Sequence, residues 1–169
     1  MKAIEKAAIS ALTKIKNRAY TEAHRKIRSE YLIRLSDLNK AVKINKNASK
    51  AMPIASVLVE DKRIPLIRFF AKEFRQKGGG VLVQVKRSNP WRLIPHTFIA
   101  TTKSGHRGIF ERKVVGGKRA KRLPIIELTG PAAAALFGSQ AIKNRITSTV
   151  NEEWNSIFER EYQWFKQKT

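Results

Sequence analysis

The chain has 169 residues, of which 42% are hydrophobic and none is cysteine. That suits one domain with its own core and excludes disulfides and thiolate metal sites. With 35 Lys and Arg against 13 Asp and Glu the formal charge is +22, a balance that draws polyanions, acidic protein surfaces or anionic membranes without choosing among them.

The opening stretch MKAIEKAAISALTKIK carries Glu5, Lys6 and Lys14 within its apolar pattern, so no secretory signal is expected. No apolar run approaches the ~20 residues that span a bilayer, and a soluble protein made in a cytoplasm is expected. Ile4, Ala7, Ala8, Ala11, Leu12 and Ile15, extended by Ala19, Ala23 and Ile27, form a stripe that predicts one long helix over residues 2–30. Its outer faces are basic, so it should lie across a sheet or a neighbouring subunit. Ser36-Asp37-Leu38-Asn39 reads as an N-cap opening a second helix through Ala41, Val42 and Ile44. Two basic helices in 22–44 also admit a helix-turn-helix, the reading for a DNA-binding protein, although the turn lacks the usual glycine.

Residues 45–53 are a polar connection, and IASVLVE (54–60) is a strand. Ile64-Pro65-Leu66 starts extended and is expected to turn helical toward Phe74. Gly78-Gly79-Gly80 is the strongest break, without the spacing of a phosphate-binding loop, and leads into the strand 81–86. Ser88-Asn89-Pro90-Trp91 is a turn. After it comes the centre of the chain, His96–Pro131: two β-like arms meeting at Ser104-Gly105, then a basic glycine-containing loop, then a third apolar strand. Ala132–Phe137 begins a short helix interrupted by Gly138. From about Gln140 a longer helix presents Ile142, Ile146, Val150, Trp154, Ile157, Phe158, Tyr162 and Phe165 on one face. Its Glu152, Glu153, Glu159 and Glu161 suit contact with a basic helix of this chain or of a copy beside it.

The pattern predicts an α+β protein, with a long N-terminal helix and a C-terminal helix packed around a small, mainly antiparallel sheet. One domain is expected over 1–169, built from helices in 1–45, a sheet platform in 54–128 and a helical region in 132–167. His96, His106 and Glu111 have the residue types of a metal or acid–base cluster, but their separations match no helical ligand pattern. No catalytic residue, metal or cofactor is expected, and Ser104 sits outside any nucleophile elbow. From Lys86 to Arg122 eleven basic side chains face the single acid Glu111. Arg112, Lys113, Lys118, Arg119, Lys121 and Arg122 are therefore candidates for salt-sensitive contact with DNA phosphates or with another subunit.

HTFIATTKSGHRGIFERK (96–113) followed by RLPIIELTGP (122–131) resembles the phage minor tail protein Z family. RKIRSEYLIRLSDLNKAVKI and RIPLIRFFAKEFRQKGGGVLVQVKR, upstream, are similar to the same family in the same order, so the likeness covers roughly residues 15–135. The C-terminal helix is similar in character alone. The resemblance implies a non-enzymatic virion protein at the head-proximal end of a long tail, made in the host cytoplasm and without a membrane partner. It implies tail completion as a ring, six- or twelve-fold, against tail terminator, tail tube or head–tail connector proteins. On that reading Ser104, Gly105, His106, Arg107 and Gly108 are an architectural turn. Phe98, Ile99, Ile109, Phe110, Leu123, Pro124 and Ile125 are buried core or interface anchors. Gly105 or Gly108 should hold a backbone conformation unsuited to larger residues.

Overall fold

A computed structural model describes residues 3–40, 42–76, 79–116, 118–119 and 123–168, with the backbone alone at 42–45, 115 and 118. In chain order the elements are α1 (Ala3–Glu30), α2 (Leu35–Asn39), β1 (Val42–Lys46), β2 (Ser56–Val59), β3 (Arg63–Pro65), a 3-10 turn (Leu66–Arg68) and β4 (Phe70–Phe74). Then follow β5 (Gly80–Gln84), β6 (Arg92–Pro95), β7 (Thr97–Thr101), β8 (Arg107–Arg112), β9 (Val114–Val115), β10 (Lys118–Arg119), β11 (Ile125–Glu127), β12 (Thr129–Ala132), α3 (Ala133–Phe137) and α4 (Gln140–Gln167). Long terminal helices and small antiparallel sheets make this an α+β fold.

The chain forms two compact units, one of Met1–Ile27, Leu38–Asp61 and Ala133–Thr169, the other of Arg28–Asp37 and Lys62–Ala132. The β1–β2 ribbon, α4 and nearly all of α1 belong to the first unit.

In the first unit α1 packs on α4, and Leu12, Ile15, Ala19 and Ala23 line a recess together with Val57 and Val59 of β2. Ala11 and Ile15 meet Ile157, with Val150, Trp154 and Phe158 around them. Alanines at Ala7, Ala11, Ala19 and Ala23 keep the buried side of α1 narrow. Charge complementarity joins the two helices: Arg145 donates to Glu22 at 2.6 Å, Arg18 lies 3.1 Å from Glu153, and Ser10 and Lys14 both donate to Glu161. Glu161 is buried, which alone would push its carboxyl up; the Lys14 and Ser10 hydrogen bonds with the charges of Lys14 and Arg160 together outweigh that and hold it below the ordinary glutamate value. The hydrogen bond from Arg145 holds Glu22 low as well.

The second helix is shorter than expected. It stops at Asn39, Ala41 lies outside the described residues, and Val42–Lys46 pairs antiparallel with Ser56–Val59. The alternation Val42-Lys43-Ile44-Asn45-Lys46 carries β-branched residues at a period of two, and partnership with β2 decides in favour of strand. Among the described residues of 22–44 there is therefore no second helix of the length a helix-turn-helix needs.

The second unit holds two three-stranded antiparallel sheets, β4-β5-β6 and β11-β8-β7, and a β12-β3 ribbon. The expected helix toward Phe74 is a 3-10 turn followed by β4, which pairs along its length with β5. Strand β6, which lies between the expected Ser88–Trp91 turn and the platform where no element is expected, pairs with β5 as well. Ile64, Leu66, Phe69, Val81, Val83, Ile109 and Phe110 are buried here, each such side chain contributing roughly 1.5–3 kcal/mol relative to exposure. The Thr97 hydroxyl links elements inside this core: it accepts from the Val81 amide at 3.1 Å and donates to the Ile94 carbonyl at 2.7 Å. Among the described residues no helix is long and apolar enough to cross a membrane.

Candidate functional site

Strand β8 is the middle strand of β11-β8-β7, which accounts for the burial of Gly108, Ile109 and Phe110 in succession. A central strand has neighbours on both edges and a covered surface, so consecutive residues can all be apolar. Opposite it, β7 places Phe98 across from Phe110 and Ile99 across from Ile109. The two phenylalanine rings lie 6.2 Å apart, a cross-strand aromatic pair.

The turn between β7 and β8 is closed by its own backbone. Thr102 N–H donates to the His106 carbonyl at 2.8 Å, and Gly105 N–H to the Thr102 carbonyl at 2.9 Å. Gly105 has φ 80°, in the left-handed region where a side chain is strained although the surrounding space is open. Gly108 is constrained differently. A Cβ there would lie 2.7 Å from Glu127 Oε1 and 2.9 Å from Phe110 Cζ. The empty space at Gly108 is what lets Glu127 reach across the strand to His106, whose Nε2 lies 2.8 Å from Glu127 Oε1.

Of the other anchors, Phe98, Ile99 and Ile125 are partly buried, whereas Leu123 is 67% exposed and Pro124 is exposed too. The Pro124 carbonyl accepts from Lys113 N–H at 3.0 Å, which holds this segment at the mouth of β11 with its side chains outward. His96 sits in the β6–β7 turn with φ 62°, and Glu111 is 3.8 Å from Arg119. His106 and Glu111 thus have different partners, Glu127 and Arg119, and His96 lies in a different turn.

The basic loop is in part a hairpin, with Lys118 opposite Val115 and Arg119 opposite Val114, and with Gly116 at φ 58°. Arg112, Lys113 and Arg119 are exposed, and the Arg112 guanidinium lies 5.7 Å from the Phe98 ring centre. Only the backbone of Lys118 is described, and Lys121 and Arg122 lie outside the described residues. What this edge offers chemically is positive charge on a short β-scaffold, suited to phosphates or carboxylates.

Sequence reading missed a cleft of ≈ 510 Å³ within the second unit, one wall of which is the turn at Gly105-His106-Arg107. Arg34, Arg68, Phe70 and Trp91 line it from other segments. No local spacing could bring residues so distant in the chain together.

The family of prophage minor tail protein Z (GPZ) matches residues 1–163 of the chain, which takes in both long helices nearly whole and every strand. No curated protein and no solved structure matches it. On that span the chain belongs to the prophage minor tail protein Z family, the structural proteins of phage tails.

Proposed function

We propose that the chain completes the tail at its head-proximal end, assembling as a ring and helping to join the tail to a filled head. The observation that carries this reading is family membership extending over the whole sheet platform and nearly all of α4. The chemistry is non-enzymatic: the platform supplies shape and charge, with the turn at Ser104–Gly108 as its corner. Exposed Leu123 and Ile126, toward the end of β8 away from that corner, suit contact with a second copy or with a tail terminator, tube or connector protein. Arg112, Lys113 and Arg119, with Lys118, Lys121 and Arg122 in the same stretch, would face the channel and touch the phosphates of the passing DNA. Such contacts position without reading sequence.

Complementation tests the proposal. Tails from a phage lacking this chain are mixed with filled heads and the purified protein, and joined particles are counted by electron microscopy. The expected result is joining only when the protein is added. Equal joining without it contradicts the reading.

A further inference from the structure

We infer that the cleft beside the β7–β8 turn docks an acidic segment of another protein, one carrying an aromatic or large apolar side chain next to its carboxylates. The inference goes beyond tail completion and does not depend on where in the particle the chain sits.

The cleft has two kinds of lining, and they ask for two kinds of group. Its cations are not equally available. Arg68 lies 3.4 Å from the buried Asp37, and His106 is held by Glu127. By contrast, no hydrogen bond or ion pair engages the guanidinium of Arg34 or of Arg107 among the described residues. Both residues are exposed and both line the cleft, whose lining carboxylate, Asp37, is buried and lies beside Arg68, so two guanidinium forks there are left for an incoming anion. Guanidinium forks match carboxylates in bidentate geometry.

The second lining is aromatic. Phe70 is 52% exposed and Trp91 40%, and Lys72 reaches over the Trp91 ring at 4.7 Å. Large rings left in water beside arginines are the composition of an interface centre, where Trp and Arg dominate binding. The segment that satisfies both linings puts carboxylates on Arg34 and Arg107 and an apolar side chain against Phe70 and Trp91.

Other occupants fit less well. Duplex DNA presents phosphates and sugars outward and keeps its bases stacked inside, so it has nothing apolar to cover the two rings. A second copy brings the same net +22, which opposes its approach to the arginines of the cleft. Single-stranded nucleic acid could stack on aromatic rings, and the experiment separates that case.

Fluorescence anisotropy of the full chain, in ~0.15 M salt, uses a short labelled peptide of glutamates around a central phenylalanine, the same peptide with serine in its place, and a labelled oligothymidylate. Arg34→Ala and Arg107→Ala should each weaken the phenylalanine peptide about 10-fold, and so should Trp91→Ala, with unchanged circular dichroism. Arg63→Ala, which removes the same charge from an exposed position elsewhere, should change binding less than about 2-fold. The serine peptide should bind more weakly. Three results would overturn the inference: no peptide binding below about 1 mM, equal losses for Arg63→Ala and Arg107→Ala, or oligothymidylate binding more tightly than the peptide.

Discussion

His106 Nε2 lies 2.8 Å from Glu127 Oε1, across a strand position kept clear by Gly108, and so ties the β7–β8 turn to β11. Both side chains are partly exposed, so the pair acts mainly as a positioner of the turn. Removing the carboxylate with Glu127→Ala should cost about 1 kcal/mol. Hydrogen exchange at the Gly105 and Thr102 amides should quicken several-fold while that of the Ile99 and Ile109 amides is unchanged. Uniform quickening would show that the pair supports the whole sheet instead.

The two glycines of the turn should fail in different ways. Gly105→Val meets no atom within 4 Å but forces a β-branched residue to φ 80°, a strain of about 1–3 kcal/mol. Gly108→Ala has no such strain and displaces Glu127 and Phe110 instead. Thermal melts of both variants should show lowered Tm, and only Gly108→Ala should shift the NMR signals of the His106 ring. In the particle, Gly105→Val should block ring assembly or tail completion, and a normal plaque titre would contradict that.

Acid should loosen the α1–α4 pairing. Glu161 and Glu22 have carboxyls held below their ordinary value, so their stabilisation is complete above ~pH 4.3 and is lost as pH falls through the lower folded values. Stability followed by circular dichroism should therefore decline as the pH is lowered through that window. Glu161→Gln should lose about 1–3 kcal/mol at neutral pH and show a flatter acid dependence. An unchanged acid dependence would assign the effect to other carboxylates.

Lys113 and Arg119 provide a direct test of the basic edge. Binding to an unrelated duplex should weaken steadily with salt, and Lys113→Ala with Arg119→Ala should reduce the slope of log affinity against log salt by about 2, near 0.9 per phosphate contact. A slope unchanged by the pair of substitutions would remove this edge from DNA contact and leave it for a protein neighbour.

Much of the architecture was legible because periodicity reports it locally. The stripe from Ile4 to Ile27 gives α1, the face from Ile142 to Phe165 gives α4, and the β-branched arms around Gly105 give β7 and β8. Three things were not legible. Val42–Lys46 is a strand because β2 lies beside it, a tertiary decision that single-segment propensity does not contain. Strand β6 follows Pro90 and Trp91 and is only four residues long, so turn signals masked it. The cleft joins Arg34, Arg68, Trp91 and Arg107 from four segments, and only the assembled unit brings them to one recess. His106, by contrast, was picked out by sequence, whereas its partner Glu127 was seen only as part of an apolar strand.

A reconstruction of the virion of a phage carrying this chain tests the central claim most directly. The account expects the chain as a closed ring at the head-proximal end of the tail, with the β9–β10 edge toward the DNA channel. Finding it at the distal tip, or finding none of it in particles whose heads and tails are joined, would contradict that account.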